Sequence, residues 1–189
     1  MIWKNLHIYV EKKSKSKYSQ YFLSLVAFIE SIFFPIPPDL ILIPIVYFNP
    51  KKFLATALNC TIFSVIGGAF GYFIGYFIFD IVQTYFDISK QGEFMNFYND
   101  WGIFAVFLGG FTPIPYKVIA LTSGYAQFNF IYFILLSLLS RGLRFFIIAF
   151  IIKQFGKLGI EILQRNKLLI FIMIPLGIVF FIYLFFYHD

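Results

Sequence analysis

Cysteine is nearly absent from this chain. Cys60 stands alone, which excludes a disulfide framework and a thiolate metal site. Histidine is almost as scarce: His7 and His188 lie near opposite ends, outside any zinc-ligand spacing. Charged residues make up only 13% of the sequence, about half the share usual in soluble domains. No Walker-type phosphate loop, dinucleotide fingerprint or nucleophile–base pair is visible. These absences argue against an enzyme and against a metal or organic cofactor.

Apolar side chains fill the space instead. Hydrophobic residues are 60% of the 189, with 29 Phe and 13 Tyr, and the mean hydropathy is +0.83. Soluble domains average about 45–50% apolar residues, and one small core cannot hide this many aromatics. The composition predicts an all-α integral membrane protein of one compact domain. Residues 1–20 carry Lys4, Lys12, Lys13, Lys15 and Lys17 and read as a basic, cytosolic, interfacial segment rather than a secretory leader. The net charge of +6 fits the positive-inside bias of a membrane protein better than a nucleic-acid partner.

Five apolar stretches follow, at about 21–48, 53–79, 102–126, 128–152 and 168–187. A straight span of a roughly 30 Å hydrocarbon core needs about 20 residues, so 53–79, 128–152 and 168–187 read as transmembrane helices. The other two are interrupted. Pro35, Pro37 and Pro38 break the first, and Pro113 and Pro115 break the second. A proline inside a helix costs about 3 kcal/mol or more, and prolines spaced by one residue do not fit a regular helix. Pieces 21–34 and 39–48 would be only about 21 and 15 Å long. Both interrupted stretches therefore read as re-entrant hairpins.

Charge supports this topology. With 21–48 and 102–126 re-entrant, the N-terminal lysines, Lys51, Lys52, Lys153, Lys157, Arg165 and Lys167 all lie on the cytosolic side. The acidic stretch 80–101 then faces outward, and so does the C-terminus. The two hairpins enter from opposite leaflets, and their sequences match. FPIPPDLI from Phe34 and TPIPYKVI from Thr112 are 78 residues apart, and each hairpin is followed by one span. That is the pattern of an inverted repeat, whose broken helices meet near the midplane.

Five ionisable residues fall inside these segments: Glu30 and Asp39 in the first hairpin, Lys117 in the second, and Arg141 and Arg144 on one face of the 128–152 helix. Each costs about 2.5–3.5 kcal/mol at a helix centre. One reading is a structural network in which the carboxylates neutralise two of the three cations. The other notes the surplus positive charge, which a phosphate-bearing headgroup would satisfy. Asp39 follows Pro38, where it would also serve as a helix cap. Glu30 would keep its proton if buried alone and give it up beside an arginine; the sequence leaves both open. Gly67, Gly71 and Gly75 form a small-residue face for close helix packing. Ser31, Ser64, Thr112 and Tyr116 either line a cavity or bond backbone, and Tyr98 and Trp101 read as interfacial belt residues.

The run from Glu30 through FPIPPD to Asp39, the GFTPIPYKV around Lys117, the SGY from Ser123 and the SRGLRFF from Ser140 resemble the DedA family, also called the SNARE-associated or VTT-domain family, and most closely its YqaA-like branch. The likeness covers about 21–156. It implies transbilayer movement of a phospholipid or polyprenyl phosphate in the bacterial cytoplasmic (inner) membrane, as a flippase or scramblase, with protons as a further partner. The family's acidic pair maps onto Glu30 and Asp39. Many members carry an arginine where this chain has Gly110, and a basic residue where it has Tyr116 followed by Lys117. The expected headgroup-binding residues are Lys117, Arg141 and Arg144. Rival expectations are a small-solute or ion transporter and a non-transporting assembly protein.

The topology makes a prediction of its own. Single cysteines placed at Lys52 and at Lys90, in a Cys60→Ser background, should be labelled from opposite sides of the membrane. Labelling of both from one side would sink the inverted arrangement.

Overall fold

The computed structural model describes residues 18–33, 37–85, 91–112 and 115–165, together with Ser14 and Ser16. Among these residues all regular structure is helical. Two helices are long and apolar enough to cross a membrane, within Pro50–Phe79 and Phe130–Ile160. They contain the expected span 53–79 and nearly all of 128–152. The expected third span, 168–187, lies outside the described residues, as do residues 1–13, Pro35 and Pro113.

The chain forms two similar runs. The first holds α1 (Ser19–Glu30), α2 (Asp39–Phe48), a 3-10 turn (Pro50–Lys52) and α3 (Phe53–Tyr85). The second holds α4 (Gln91–Phe111), α5 (Tyr116–Tyr125) and α6 (Phe130–Arg165). In each run a helix stops before a proline-bearing segment, a short helix follows, and a long helix completes the run. Helices α5 and α6 begin 77 residues after α2 and α3 respectively.

Proline sets the breaks and then starts the short helices. Pro38 precedes the first residue of α2, and Pro115 precedes that of α5. At a helix start proline's missing N–H is no loss, because that group would have no intrahelical partner. Asn129 starts α6 by a different device. Its Oδ1 accepts from the backbone N–H groups of Ile131 (3.0 Å) and Tyr132 (3.2 Å).

Side-chain contacts fix the direction of each helix. Gln20 Nε2 donates to Thr56 Oγ1 (2.8 Å) near the start of α3. Ser31 Oγ lies 2.8 Å from Ser64 Oγ, further along α3. Helix α1 therefore runs alongside α3, and α2 returns. Asn49 Nδ2, just beyond α2, donates to the Ser14 carbonyl (3.4 Å), so the hairpin's two ends meet. The second run repeats the device. The Tyr98 hydroxyl on α4 is 2.9 Å from Ser123 Oγ near the end of α5. At the other end of α4, the Thr112 carbonyl accepts from Arg144 in the middle of α6 (2.7 Å).

Helices α3 and α6 are antiparallel. Phe53 packs on Phe146, with ring centroids 5.9 Å apart, and Tyr72 packs on Phe133 at 5.2 Å. The two hairpins thus start from opposite ends of the α3–α6 pair and meet tip to tip beside its middle. Each short helix also crosses over, α5 packing on α3 and α2 on α6. One apolar cluster, with Leu23, Leu42, Cys60 and Phe145, seals the first hairpin. A second, with Val106, Tyr116, Ala120 and Phe133, seals the other. The outward faces of the long helices are also apolar: Phe77 is 61% exposed and Leu135 57%.

Two features differ from expectation. Much of 80–101, read as a loop from its acidic residues, is helical through Tyr85 and again from Gln91. Its Gln, Glu and Met residues are good helix formers. Tyr98, expected at a membrane interface, is buried against α5, whereas Trp101 is exposed.

The glycine face works as a packing surface. Gly67 admits the Phe28 carbonyl of α1, and Gly75 admits the Leu121 carbonyl of α5. Reciprocally, Gly124 of α5 faces the Tyr72 carbonyl of α3 so closely that a Cβ there would collide with it. A Cβ at Gly142 would meet only Thr61 Cγ2, at 3.6 Å, an ordinary contact. Gly124→Ala should therefore lower stability in detergent by about 1–3 kcal/mol. Gly142→Ala should leave it unchanged or raise it, since alanine is the better helix former. Equal melting temperatures for the two variants would contradict this account of the α3–α5 contact.

Candidate functional site

The hairpin tips bring together all five ionisable residues picked out in the sequence. Glu30 is the last residue of α1 and Asp39 the first of α2. Lys117 is the second residue of α5, and Arg141 and Arg144 lie mid-way along α6. Pro38 and Pro115 begin the short helix that follows each tip.

Two ion pairs join the first hairpin to α6. Arg141 Nη2 lies 3.0 Å from Glu30 Oε2, and Arg144 Nη2 lies 2.7 Å from Asp39 Oδ2. Both arginines are buried. Arg144 also donates to the Thr112 carbonyl, so one guanidinium spans both tips. Asp39 makes no capping hydrogen bond; its carboxylate is committed to Arg144. It still sits in the first turn of α2, where the helix dipole favours an anion.

Arg141 has a denser shell. Its Nε donates to Ser64 Oγ (2.8 Å), which lies 2.8 Å from Ser31 Oγ. Its guanidinium carbon is 4.7 Å from the ring centroids of both Tyr116 and Phe145. A planar cation between two aromatic faces is held by cation–π attraction as well as by charge. Ser31, Ser64 and Tyr116 were legible only as polar residues of unassigned role. Phe145 was lost among many phenylalanines, although its position four residues after Arg141 puts it on the same helix face.

Lys117 is set apart. Its Nζ donates to the Phe33 carbonyl (3.1 Å) on the exposed side of the tips, and among the described residues no carboxylate pairs with it. It is half-buried, whereas both arginines are buried. With two carboxylates matched to two arginines, Lys117 carries the surplus charge. Two further atoms keep unspent bonding capacity beside Arg144: Asp39 Oδ1 and Thr112 Oγ1 are buried with no protein partner. Gly110, where many members of the resembled family carry an arginine, lies so close to Ser140 that a Cβ would collide with its hydroxyl. A side chain there requires Ser140 to move.

The chain is 41% identical over 140 residues to an uncharacterized protein of Haemophilus influenzae, covering 72% of this chain and 73% of that protein. It is 35% identical over 147 residues to an uncharacterized protein of Histophilus somni, covering 75% and 76%. A third relative, an uncharacterized protein of Methanocaldococcus jannaschii, is 27% identical over 144 residues, covering 72% and 87%. No family model and no solved structure matches the chain.

The pairing predicts unequal costs. Asp39→Ala leaves Arg144 buried without its carboxylate and should cost about 3–5 kcal/mol. Lys117→Ala removes one hydrogen bond on the exposed side and should cost about 1 kcal/mol. Thermal unfolding in one detergent measures both, and a larger loss for Lys117→Ala would reverse the assignment.

Proposed function

We propose that this chain, which belongs to the same protein family as the Haemophilus influenzae and Histophilus somni proteins, carries a phosphate-bearing lipid across the bacterial inner membrane as a flippase or scramblase. The bilayer covers the apolar outer faces of α3 and α6. The two helical hairpins are re-entrant, dipping from opposite leaflets, and the two runs form an inverted repeat with its site near the midplane. The resemblance to the DedA family points the same way.

The observation that carries this reading is Lys117. A lysine at the seam of the two tips, without a carboxylate partner among the described residues and on the exposed side, leaves a net positive charge at mid-depth. A lipid phosphate approaching from the side takes the hydrogen bond that Lys117 gives to the Phe33 carbonyl, while its tails stay among those of the bilayer. The arginines behind it offer guanidinium forks that fit phosphate as well as carboxylate. For phosphate to reach them, Glu30 or Asp39 must release its arginine. The Glu30 side chain is 13% exposed against 5% for Asp39, so Glu30 is the more accessible of the two and the first to be exchanged. No catalytic residue and no cofactor enter this scheme.

The two ion pairs also favour a purely structural network, and transport separates the readings. In liposomes, Lys117→Ala should slow translocation of a labelled anionic phospholipid about tenfold or more, the size of one lost charged contact. Its melting temperature should fall by only about 2–4 °C, as the loss of one exposed hydrogen bond requires. Wild-type lipid flux in this variant removes the headgroup assignment, and uptake of a soluble anion without lipid movement supports a solute transporter instead.

A further inference from the structure

A second feature lies away from the tips, on the outward side of the α3–α6 contact. A groove of about 360 Å³ runs between the two helices, lined by Leu58, Thr61, Ile62, Leu138, Gly142 and Phe146 among others. Thr61 supplies its one polar side chain, and that hydroxyl already donates to the Ala57 carbonyl (2.8 Å). The groove therefore offers no free donor and is otherwise apolar, which suits a hydrocarbon. Gly142 deepens it, because the missing side chain leaves room above Thr61.

One end of this groove leads to cations. Phe146 packs on Phe53, and Lys153 Nζ sits 3.9 Å above the same Phe53 ring. Lys51 and Lys52, in the turn just before Phe53, are exposed, and so is Lys157, just past the kink at Gly156. Among the described residues no carboxylate pairs with any of these four lysines. The distance fits as well. From Phe53 to Ile62 α3 rises about 14 Å, close to half of the roughly 30 Å hydrocarbon core. A chain anchored at the lysines ends where the groove ends.

We propose that this groove and its basic rim bind one resident anionic phospholipid of the adjoining leaflet, with an acyl chain between α3 and α6 and its headgroup at Lys153 and the Lys51–Lys52 turn. Charge complementarity selects this occupant over a neutral lipid or a second copy of the chain. The site rests on the membrane reading of α3 and α6 but is separate from the tip cluster, so it stands or falls independently of lipid transport.

Native mass spectrometry of the purified full chain, exchanged into micelles holding equal phosphatidylglycerol and phosphatidylcholine, tests it. Wild type should retain one phosphatidylglycerol in preference to phosphatidylcholine. Gly142→Leu, which fills the groove, should lower that retention about tenfold. Lys153→Gln should lower it about fivefold, the size of one surface lysine contact. Lys117→Ala should leave it unchanged. Equal retention of the two lipids, unchanged retention in Lys153→Gln, loss in Lys117→Ala, or a lipid-free dimer would each overturn the proposal. Lys153→Gln is an exposed substitution, so it decides the matter even where Gly142→Leu does not fold.

Discussion

Arg144 holds both hairpin tips with one guanidinium, donating to the Thr112 carbonyl on one side and to the Asp39 carboxylate on the other. Much of the architecture serves that arrangement. A buried arginine needs its donors met, and neither tip alone meets them. The tip carbonyl is available because α4 ends at Phe111, next to the proline-bearing segment. Asp39 is available because α2 begins there, immediately after Pro38. Breaking both helices beside the middle of α6 supplies the partners that a continuous helix would have kept within its own hydrogen-bond ladder.

The same constraint accounts for the small residues. For tips from opposite ends to reach one arginine pair, α5 must lie against α3, and α1 must lie against it too. Gly67, Gly75 and Gly124 permit this by letting carbonyl groups rest on bare backbone. A helix packed through larger side chains stands about 8–10 Å from its neighbour, and widening these contacts would pull Tyr116 away from Arg141. The close contacts and the charged centre are therefore parts of one device. In sequence they appeared separately, as a packing face and as a set of costly ions.

What the sequence made legible follows from this distinction. Proline and ionic charge are expensive in apolar surroundings, so each marked its place: the breaks fall where Pro37, Pro38 and Pro115 predict, and the five charges converge. Which carboxylate meets which arginine depends on helix rotation, and spacing does not encode that. The aromatic clamp on Arg141 was hidden because Phe145 is one phenylalanine among 29; apolar packing carries no mark when nearly everything is apolar. Tyr98 was misplaced for a related reason. A tyrosine near the end of an apolar stretch suits both a membrane interface and a buried hydroxyl contact, and the contact made by α5 decided between them.

The ion pairs bear on why such a centre exists at all. A buried pair is a poor source of stability, since desolvating two charges offsets much of their attraction, and apolar replacements of similar volume are often neutral or better. A fold needing only to hold its tips together would do so with leucine and phenylalanine, which this chain has in abundance. Two such pairs, a third cation at the open edge, and the unpartnered buried oxygens Asp39 Oδ1 and Thr112 Oγ1 form a costly centre for a scaffold. The cost is intelligible if the carboxylates are exchangeable. An arginine that trades aspartate for phosphate keeps its charge balanced throughout, so the exchange avoids the bare buried cation that would otherwise block it. On the proposed reading, the pairs keep an anion site neutral while it waits for a lipid phosphate, and Lys117 is the contact that the phosphate meets first.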